Sequence, residues 1–560
     1  MFSFQRALRR TMNLFALFGL FFLVGNPSFG RSEWFGIFQF LIVWPIYTIY
    51  TLHLATGFYQ SSGFLSFLAN NSIDLVFFAP LLAVTSGGVH PAHVLIVRQF
   101  VHYFIRYLQS NTLSNFAQSI SDRPARLIAF SFFGIILIGA FLLTLPISVS
   151  GGNDPSFLTA LFTSTSAVCV TGLIVVDTPS YFSTFGQLVV LTLIQIGGLG
   201  IMTLSAGSAF LIGKRLGISE RSVLQNVLDA TDLVALRRTL LDILKWTFAI
   251  EFIGSVILSI RFKMVLECPA LDAFYLGVFH SISAFCNAGF ALFSDNLMKF
   301  SPDPVINLAI MGLIVMGGLG FSVLSAINGF LQGDQKFYHD MHSLMVLSAT
   351  VILIVGGTIA LFALEYDKPT LGGMPIWEKL FASAFQSVTA RTAGFNTIDF
   401  GMMTQGALFL TIVLMFIGAS PGSTGGGIKT TTVGTMLLAL DAQMKGMPEV
   451  VLNERTIPSE TIAKAFLITV ISASIVVGCT FMLLLTESFP LINILFEVVS
   501  AFGTVGLSTG ITPSVSIFGK LVLIFLMFIG RIGPLTSALS FRTSPQSAKV
   551  SYPVSRILVG

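Results

Sequence analysis

Long apolar runs recur along the chain, and four of them have matching surroundings. Runs at roughly 126–147, 242–265, 343–364 and 461–486 are each followed by a short mixed segment and then by a second apolar run, roughly 183–211, 305–330, 403–440 and 515–540. The hydrocarbon core of a bilayer takes about 20 helical residues, so each long run predicts a membrane-spanning helix. The mixed segments read "FTSTSAVCVTGL", "FHSISAFCNAGF", "AFQSVTARTAGF" and "FEVVSAFGTVGL". They align on Gly172, Gly289, Gly394 and Gly506, about 105 to 117 residues apart. Ten residues before each glycine stands Phe162, Phe279, Ala384 or Phe496, and five before it Ala167, Ala284, Thr389 or Ala501. A large apolar residue follows: Leu173, Phe290, Phe395 or Leu507.

About ten helical residues cover only ~15 Å, too little to cross. The pattern predicts a re-entrant helix that stops mid-membrane and continues as an extended strand. Non-helical backbone at that depth is tolerated inside protein or along a watery cavity, and four such segments around a pseudo-fourfold axis would form one. A single glycine of this kind is equally what close helix packing uses; four in register after the same half-length helix point to the cavity. The second apolar runs carry a signature as well: "QIGGLGI" at 195–201, "VMGGLGF" at 315–321, "FIGASPG" at 416–422 and "FIGRIGP" at 528–534.

A dehydrated cation needs replacement oxygens, and rings of backbone carbonyls supply them to potassium. Carbonyls can all turn inward only if some residues take dihedrals that a Cβ resists and glycine tolerates. The candidate filter strands are therefore Val170-Thr171-Gly172, Asn287-Ala288-Gly289, Thr392-Ala393-Gly394 and Thr504-Val505-Gly506, none of them charged. Arg391, three residues before Gly394, reads as a brace behind the filter, since a cation lining it would repel the permeant ion.

One apolar run is interrupted by "GASPGSTGGGIKTTT", Gly418 to Thr432. Each glycine costs a helix about 1 kcal/mol relative to alanine, so Gly422–Gly427 is expected to be unwound and to need water or protein donors. Arg531 stands in "LIFLMFIGRIGPLTSALSF" and aligns with Ala419. A mid-helix charge costs about 2.5–3.5 kcal/mol on insertion scales, so it needs partners. Symmetry puts it beside the loop, as the one charge able to restrain the loop from within the membrane; the alternative is an arginine snorkelling from a helix end.

Composition sets the class. The chain has 560 residues, 54% hydrophobic and 10% charged, against about 25% charged in soluble domains. The net charge of +4 follows membrane topology and does not imply nucleic acid. Cys169, Cys268, Cys286 and Cys479 make no CxxC pair, and His90/His93 and His339/His342 have no further ligands nearby in sequence. No P-loop, HExxH, dinucleotide fingerprint or catalytic cluster is present, so an enzyme is not expected. Arg6, Arg9 and Arg10 precede an apolar run with no small-x-small pattern after it, which argues against a cleaved leader.

Positive residues favour the cytoplasm. Arg123, Arg126, Lys214, Arg215, Arg221, Arg237, Arg238, Lys445, Arg455 and Lys464 mark one side; Asp154, Asp177, Glu267, Asp272, Asp295 and Asp399 mark the other. The filters are thus expected outside, and the linkers and the C-terminal tail inside. The acids near the mouth either concentrate cations or are merely solvated. Before residue 120, apolar runs near 12–29, 36–56 and 73–89 precede "HVLIVRQFVHYFIRYLQS". An even number of spans is needed before Arg123, four if 93–110 crosses and two if some runs lie in the interface. Arg98, His102 and Arg106 share one face, either of a peripheral basic helix or of a degenerate voltage-sensor helix.

The segments "SAVCVTGL", "SAFCNAGF", "TARTAGF" and "SAFGTVGL", together with "GSTGGGIKT" and "GRIGP", resemble the Trk/Ktr/HKT superfamily of potassium transporters, its bacterial Ktr or Trk membrane subunit above all. The resemblance covers about residues 123 to 545. It implies an all-α polytopic membrane protein: four M1–P–M2 repeats around one pore, with extra N-terminal helices. The boundaries become 1–120 for the N-terminal extension, 121–240, 241–338, 339–458 and 459–545 for the repeats, and 546–560 for a cytoplasmic tail. It implies a potassium filter, since glycine rather than serine stands at the first position, Gly172. It implies a gating loop at 418–428, made of Gly418, Ala419, Ser420, Gly422, Ser423, Thr424, Gly425, Gly426 and Gly427, with Lys429 at its cytoplasmic end and Arg531 holding it. It also implies a homodimer with one pore per protomer in the plasma membrane, and a cytoplasmic nucleotide-binding regulatory ring as partner. No cofactor is expected on this chain; potassium is the cargo, with sodium or proton coupling open. The alternative is the potassium-binding subunit of a P-type ATPase complex, which shares the fold.

Overall fold

The computed structural model describes residues 124–151, 155–200, 233–333 and 340–533. Expectations for 1–120, for Arg123, Asp154, Lys214, Arg215, Arg221 and His339, and for 534–560 lie outside these residues, as do the side chains of Arg126, Arg237 and Arg238. The described chain is helical apart from one short antiparallel hairpin, β1 (Val451–Leu452) with β2 (Arg455–Thr456), and two isolated bridges.

The main helices come in four sets of the same order: a longest first helix, a shorter one after it, and a third that in two sets is broken and continued. The first is α1 (Pro124–Leu143), α2 (Phe157–Val168) and α3 (Thr184–Leu199). The second is α4 (Leu233–Leu266), α5 (Ala270–Phe285) and α6 (Pro304–Leu319), continued by α7 (Phe321–Leu331). The third is α8 (Met341–Glu365), α9 (Ile376–Thr389) and α10 (Gln405–Phe416), continued by α11 (Thr430–Met444). The fourth is α12 (Ser459–Thr486), α13 (Leu491–Gly503) and α14 (Ile517–Ile532).

Among the described residues, three unbroken helices are long and apolar enough to cross a membrane: Leu241–Leu266, Met341–Glu365 and Ser459–Thr486. Their outward faces carry exposed Phe248, Phe252 and Ile260, then Val351, Ile352 and Ile359, then Val470, Val477 and Phe481. Apolar surface on that scale suits lipid. The short helices are the reverse, since α2 buries eight of its twelve residues. Phe162, Phe279 and Phe496 are fully buried as the alignment expects. In the third set Phe385 takes that place, one residue after Ala384.

Several helices depart from their expected bounds. The run 305–330 is not one helix: α6 and α7 meet at Gly320 with a bend of 102°. Gly320 has φ +93°, which a glycine adopts without the Cβ penalty; the apolar run continues across it, so hydropathy gave no sign of the break. α3 and α14 likewise end before Gly200 and Gly533. The unwound stretch in the third set runs from Ile417 to Lys429, wider than Gly422–Gly427. α4 begins nine residues ahead of its apolar run, and the short helices span 12 to 16 residues rather than ten.

The ends of the long helices anchor the starts of the next ones. Glu365 of α8 accepts from the Thr404 backbone N–H at 3.0 Å and its hydroxyl at 2.5 Å, where Thr404 caps α10. Glu487 accepts the Ser516 hydroxyl at 2.5 Å, where Ser516 caps α14. Arg261 of α4 pairs at 2.7 Å with Asp303, the cap of α6.

Candidate functional site

After each short helix the backbone reverses in the same way. Val170, Asn287, Thr392 and Thr504 have φ of +55°, +58°, +72° and +50°, and the glycine two residues on is also positive, at +87°, +68°, +80° and +92°. Left-handed backbone costs a residue with a Cβ roughly 1–2 kcal/mol, so four copies need a compensating fixture. Hydrogen bonds back to the short helix provide it. Thr171, Ala288 and Val505 donate backbone N–H to the carbonyls of Ser166, Ser283 and Ser500 at 2.7, 2.7 and 2.8 Å. Ala393 donates to Thr389 at 2.9 Å, one residue closer, matching the phase shift of the third set. Ser166 and Ser500 accept the Gly172 and Gly506 N–H at 3.0 and 3.1 Å. Ser283 and Thr389 bond the carbonyls of Phe290 and Phe395 at 2.7 and 2.6 Å.

These bonds take up strand N–H groups and leave the strand carbonyls over. Among the described residues, nothing donates to the carbonyls of 170–172, 287–289, 392–394 or 504–506. The four strands meet in cyclic order. A Cβ on Gly172 would overlap the Ala288 carbonyl; on Gly289, the Ala393 carbonyl; on Gly394, the Val505 carbonyl; on Gly506, the Thr171 carbonyl. The series returns to its start, so the four glycines and the carbonyls before them form a closed ring. Sequence reasoning named the glycines and missed the serines, although a Ser six residues before the glycine repeats in three of the four segments.

On one side of the ring lies a cavity of about 260 Å³ lined by the four glycines and by Asp177, Asp295 and Asp399. Glu497, 1% exposed, fixes the strand beyond Gly506 by accepting from the Ser508 and Thr512 hydroxyls at 2.6 and 2.7 Å and from the Thr509 N–H at 3.0 Å. Arg391 is buried and donates to the Thr350 hydroxyl of α8 at 3.2 Å.

The other side is covered by the loop. Gly425 presses on the Thr392 hydroxyl and Gly426 on the Thr504 hydroxyl, so no Cβ fits at either. The loop is stitched to α6: Ser420 and Thr424 donate N–H to the Gly318 and Gly317 carbonyls at 3.1 and 3.2 Å, and Phe321 donates to Gly422 at 3.2 Å. The Thr424 hydroxyl reaches the Phe285 carbonyl at the end of α5, 3.2 Å away. Arg531 donates from one guanidinium nitrogen to the Thr424 carbonyl and from the other to the Gly197 carbonyl of α3. It is therefore not a snorkelling side chain, and it holds a helix end as well as the loop. Nor is it the one restraining charge. Lys429 donates to the Gly425 carbonyl at 2.7 Å, folding back over a turn whose carbonyl would otherwise lack a donor.

A family model described as cation transport protein (TrkH) matches residues 132–552. The chain belongs to the TrkH family. The Ktr system potassium uptake protein B of Bacillus subtilis is 42% identical over 438 residues, which is 78% of this chain and 97% of that protein. The protein of the same description from Vibrio alginolyticus is also 42% identical, over 437 residues covering 78% and 94%. The potassium/sodium uptake protein NtpJ of Enterococcus hirae is 38% identical over 443 residues, covering 78% and 97%. The solved potassium transporter TrkH of Vibrio parahaemolyticus shares the fold, with a TM-score of 0.61 at 19% identity over 85% of this chain and 96% of that one. In this TrkH-family chain, then, the ring and the covering loop are the parts that chemistry singles out.

Proposed function

We propose that this chain is the membrane subunit of a potassium uptake system. The observation that carries the reading is the cyclic order of the four glycines, each against the carbonyl of the next strand. Uncharged oxygens with no donor of their own suit a cation that gives up its water and must leave again, as conduction requires. The four helix sets are then M1–P–M2 repeats around one pore, with boundaries at 121–240, 241–338, 339–458 and 459–545. Val170, Thr171, Asn287, Ala288, Thr392, Ala393, Thr504 and Val505 line the filter with the glycines. The names of the Ktr relatives support potassium as cargo, and that of NtpJ keeps sodium in play. A P-type ATPase subunit finds no support in these relatives, and the chain is read as a transporter, not an enzyme.

The loop from Gly418 to Lys429 is the gate, closed in this conformation. Its glycines sit against the filter threonines, so an ion leaving the ring would meet it first. Arg531 and Lys429 hold it by charge-assisted bonds, worth about 1.5–3 kcal/mol each, enough to offset the cost of an arginine at this depth. The three aspartates of the cavity support a filter mouth that faces outside; the basic linkers, and with them the regulatory nucleotide-binding ring, belong to the cytoplasm. The protein works as a homodimer in the plasma membrane. Flux of potassium, rubidium and sodium into liposomes holding the purified chain tests the reading. It is supported by passage of potassium and rubidium in clear preference to sodium, and overturned by equal passage of all three or of none even after the loop is shortened.

A further inference from the structure

We propose that Glu251 is a positioning residue for the gate, acting through Gln195 on the helix end that holds Arg531. The inference rests on the gating reading above. Glu251 lies midway along the apolar span of α4 and is 5% exposed. Among the described residues no cation pairs with it. Its carboxylate oxygens instead accept from the Gln195 amide at 3.1 and 3.2 Å. The Cys286 thiol, at the end of α5, stands 3.8 Å from both the carboxylate and the Gln195 carbonyl oxygen. Glu251 is itself fixed, because its backbone carbonyl accepts the Ser281 hydroxyl of α5 at 2.7 Å.

Gln195 opens the last turn of α3, and that turn does two further things. Gly198 lies so close to Cys286 that a Cβ would overlap the sulfur. The Gly197 carbonyl accepts one of the two bonds of Arg531. α3 ends immediately after, at Gly200 with φ +77°. A helix end leaves its last carbonyls free, and a free end moves unless something ties it. The Glu251–Gln195 pair ties it across to α4, a helix of the next set. The chain of contact runs from Glu251 through Gln195 to Gly197, then through Arg531 to Thr424 in the loop. A buried carboxyl group with one good amide donor also depends on that donor, since its loss would leave polar groups unsatisfied in the membrane.

The test is partner-free potassium flux in liposomes, with full-length variants checked for folding by gel filtration. Glu251→Leu and the milder Gln195→Met should each raise the flux several-fold. Glu251→Gln keeps an acceptor for the Gln195 amide and should stay near wild type, as should the exchanged pair Glu251→Gln/Gln195→Glu. In an Arg531→Ala background, Glu251→Leu should add nothing, because the path it supports is already cut. If Arg531→Ala raises flux and neither Glu251→Leu nor Gln195→Met does, the inference fails while gating stands. The same holds if Glu251→Leu multiplies the flux equally in both backgrounds, which would mark general loosening. If Arg531→Ala itself leaves flux unchanged, the gating reading falls and takes this inference with it.

Discussion

Arg531 and Gly197 are 334 residues apart in the chain, yet the arginine donates to the glycine's carbonyl while its other nitrogen holds the Thr424 carbonyl. One side chain on α14 thus joins the end of α3 to the loop that covers the glycine ring. If the loop is the gate, Arg531 is the latch of its closed state.

Replacing Arg531 by alanine removes both bonds. At about 1.5–3 kcal/mol for a bond to a charged group, losing even one shifts a closed–open balance roughly 10- to 100-fold. Partner-free potassium flux should rise by about that factor with the potassium/sodium ratio preserved. Lys429→Met removes one bond from the same loop and should raise flux less. Loss of selectivity with no rise in flux would make the loop part of the filter scaffold instead.

The serines behind the ring should matter to selectivity and not to gating. Ser166→Ala and Ser500→Ala each strip the side-chain acceptor from a ring glycine's N–H. A buried donor left unsatisfied costs about 1–3 kcal/mol, and the strand relieves it by turning. The expected result, read from paired ion fluxes, is a lower potassium/sodium ratio with closed-state flux unchanged. A ratio unmoved in both variants would show that the strands hold their shape without these bonds.

Much of this was legible because repetition exposes it. Four glycines in register announced the ring, and the glycine-rich interruption announced the loop. The bend at Gly320 was not legible, since a left-handed glycine leaves the hydropathy of "VMGGLGF" continuous. The third segment's one-residue shift was hidden for a related reason. Its Phe385 and Thr389 do the work of residues that the glycine alignment places one position away. The pairs Glu251–Gln195 and Lys429–Gly425 depend on helix rotation and loop shape, which spacing does not encode.

The four sets already close one ring, so no second chain is needed to finish a pore. A homodimer should therefore contain two independent pores. Native mass measurement should give twice the 60.5 kDa of one chain. In dimers carrying one Gly172→Ser chain, half the conductance should remain selective. A tetramer with a single shared pore would contradict this.

On the proposed reading, four backbone strands make one potassium site. Single Ser substitutions at Gly172, Gly289, Gly394 and Gly506, each compared for potassium and sodium flux in liposomes, test it most directly. Each glycine faces the carbonyl of the next strand with no room for a Cβ, so all four variants should lose discrimination. A folded variant at any of the four that keeps the wild-type potassium/sodium ratio would contradict the ring.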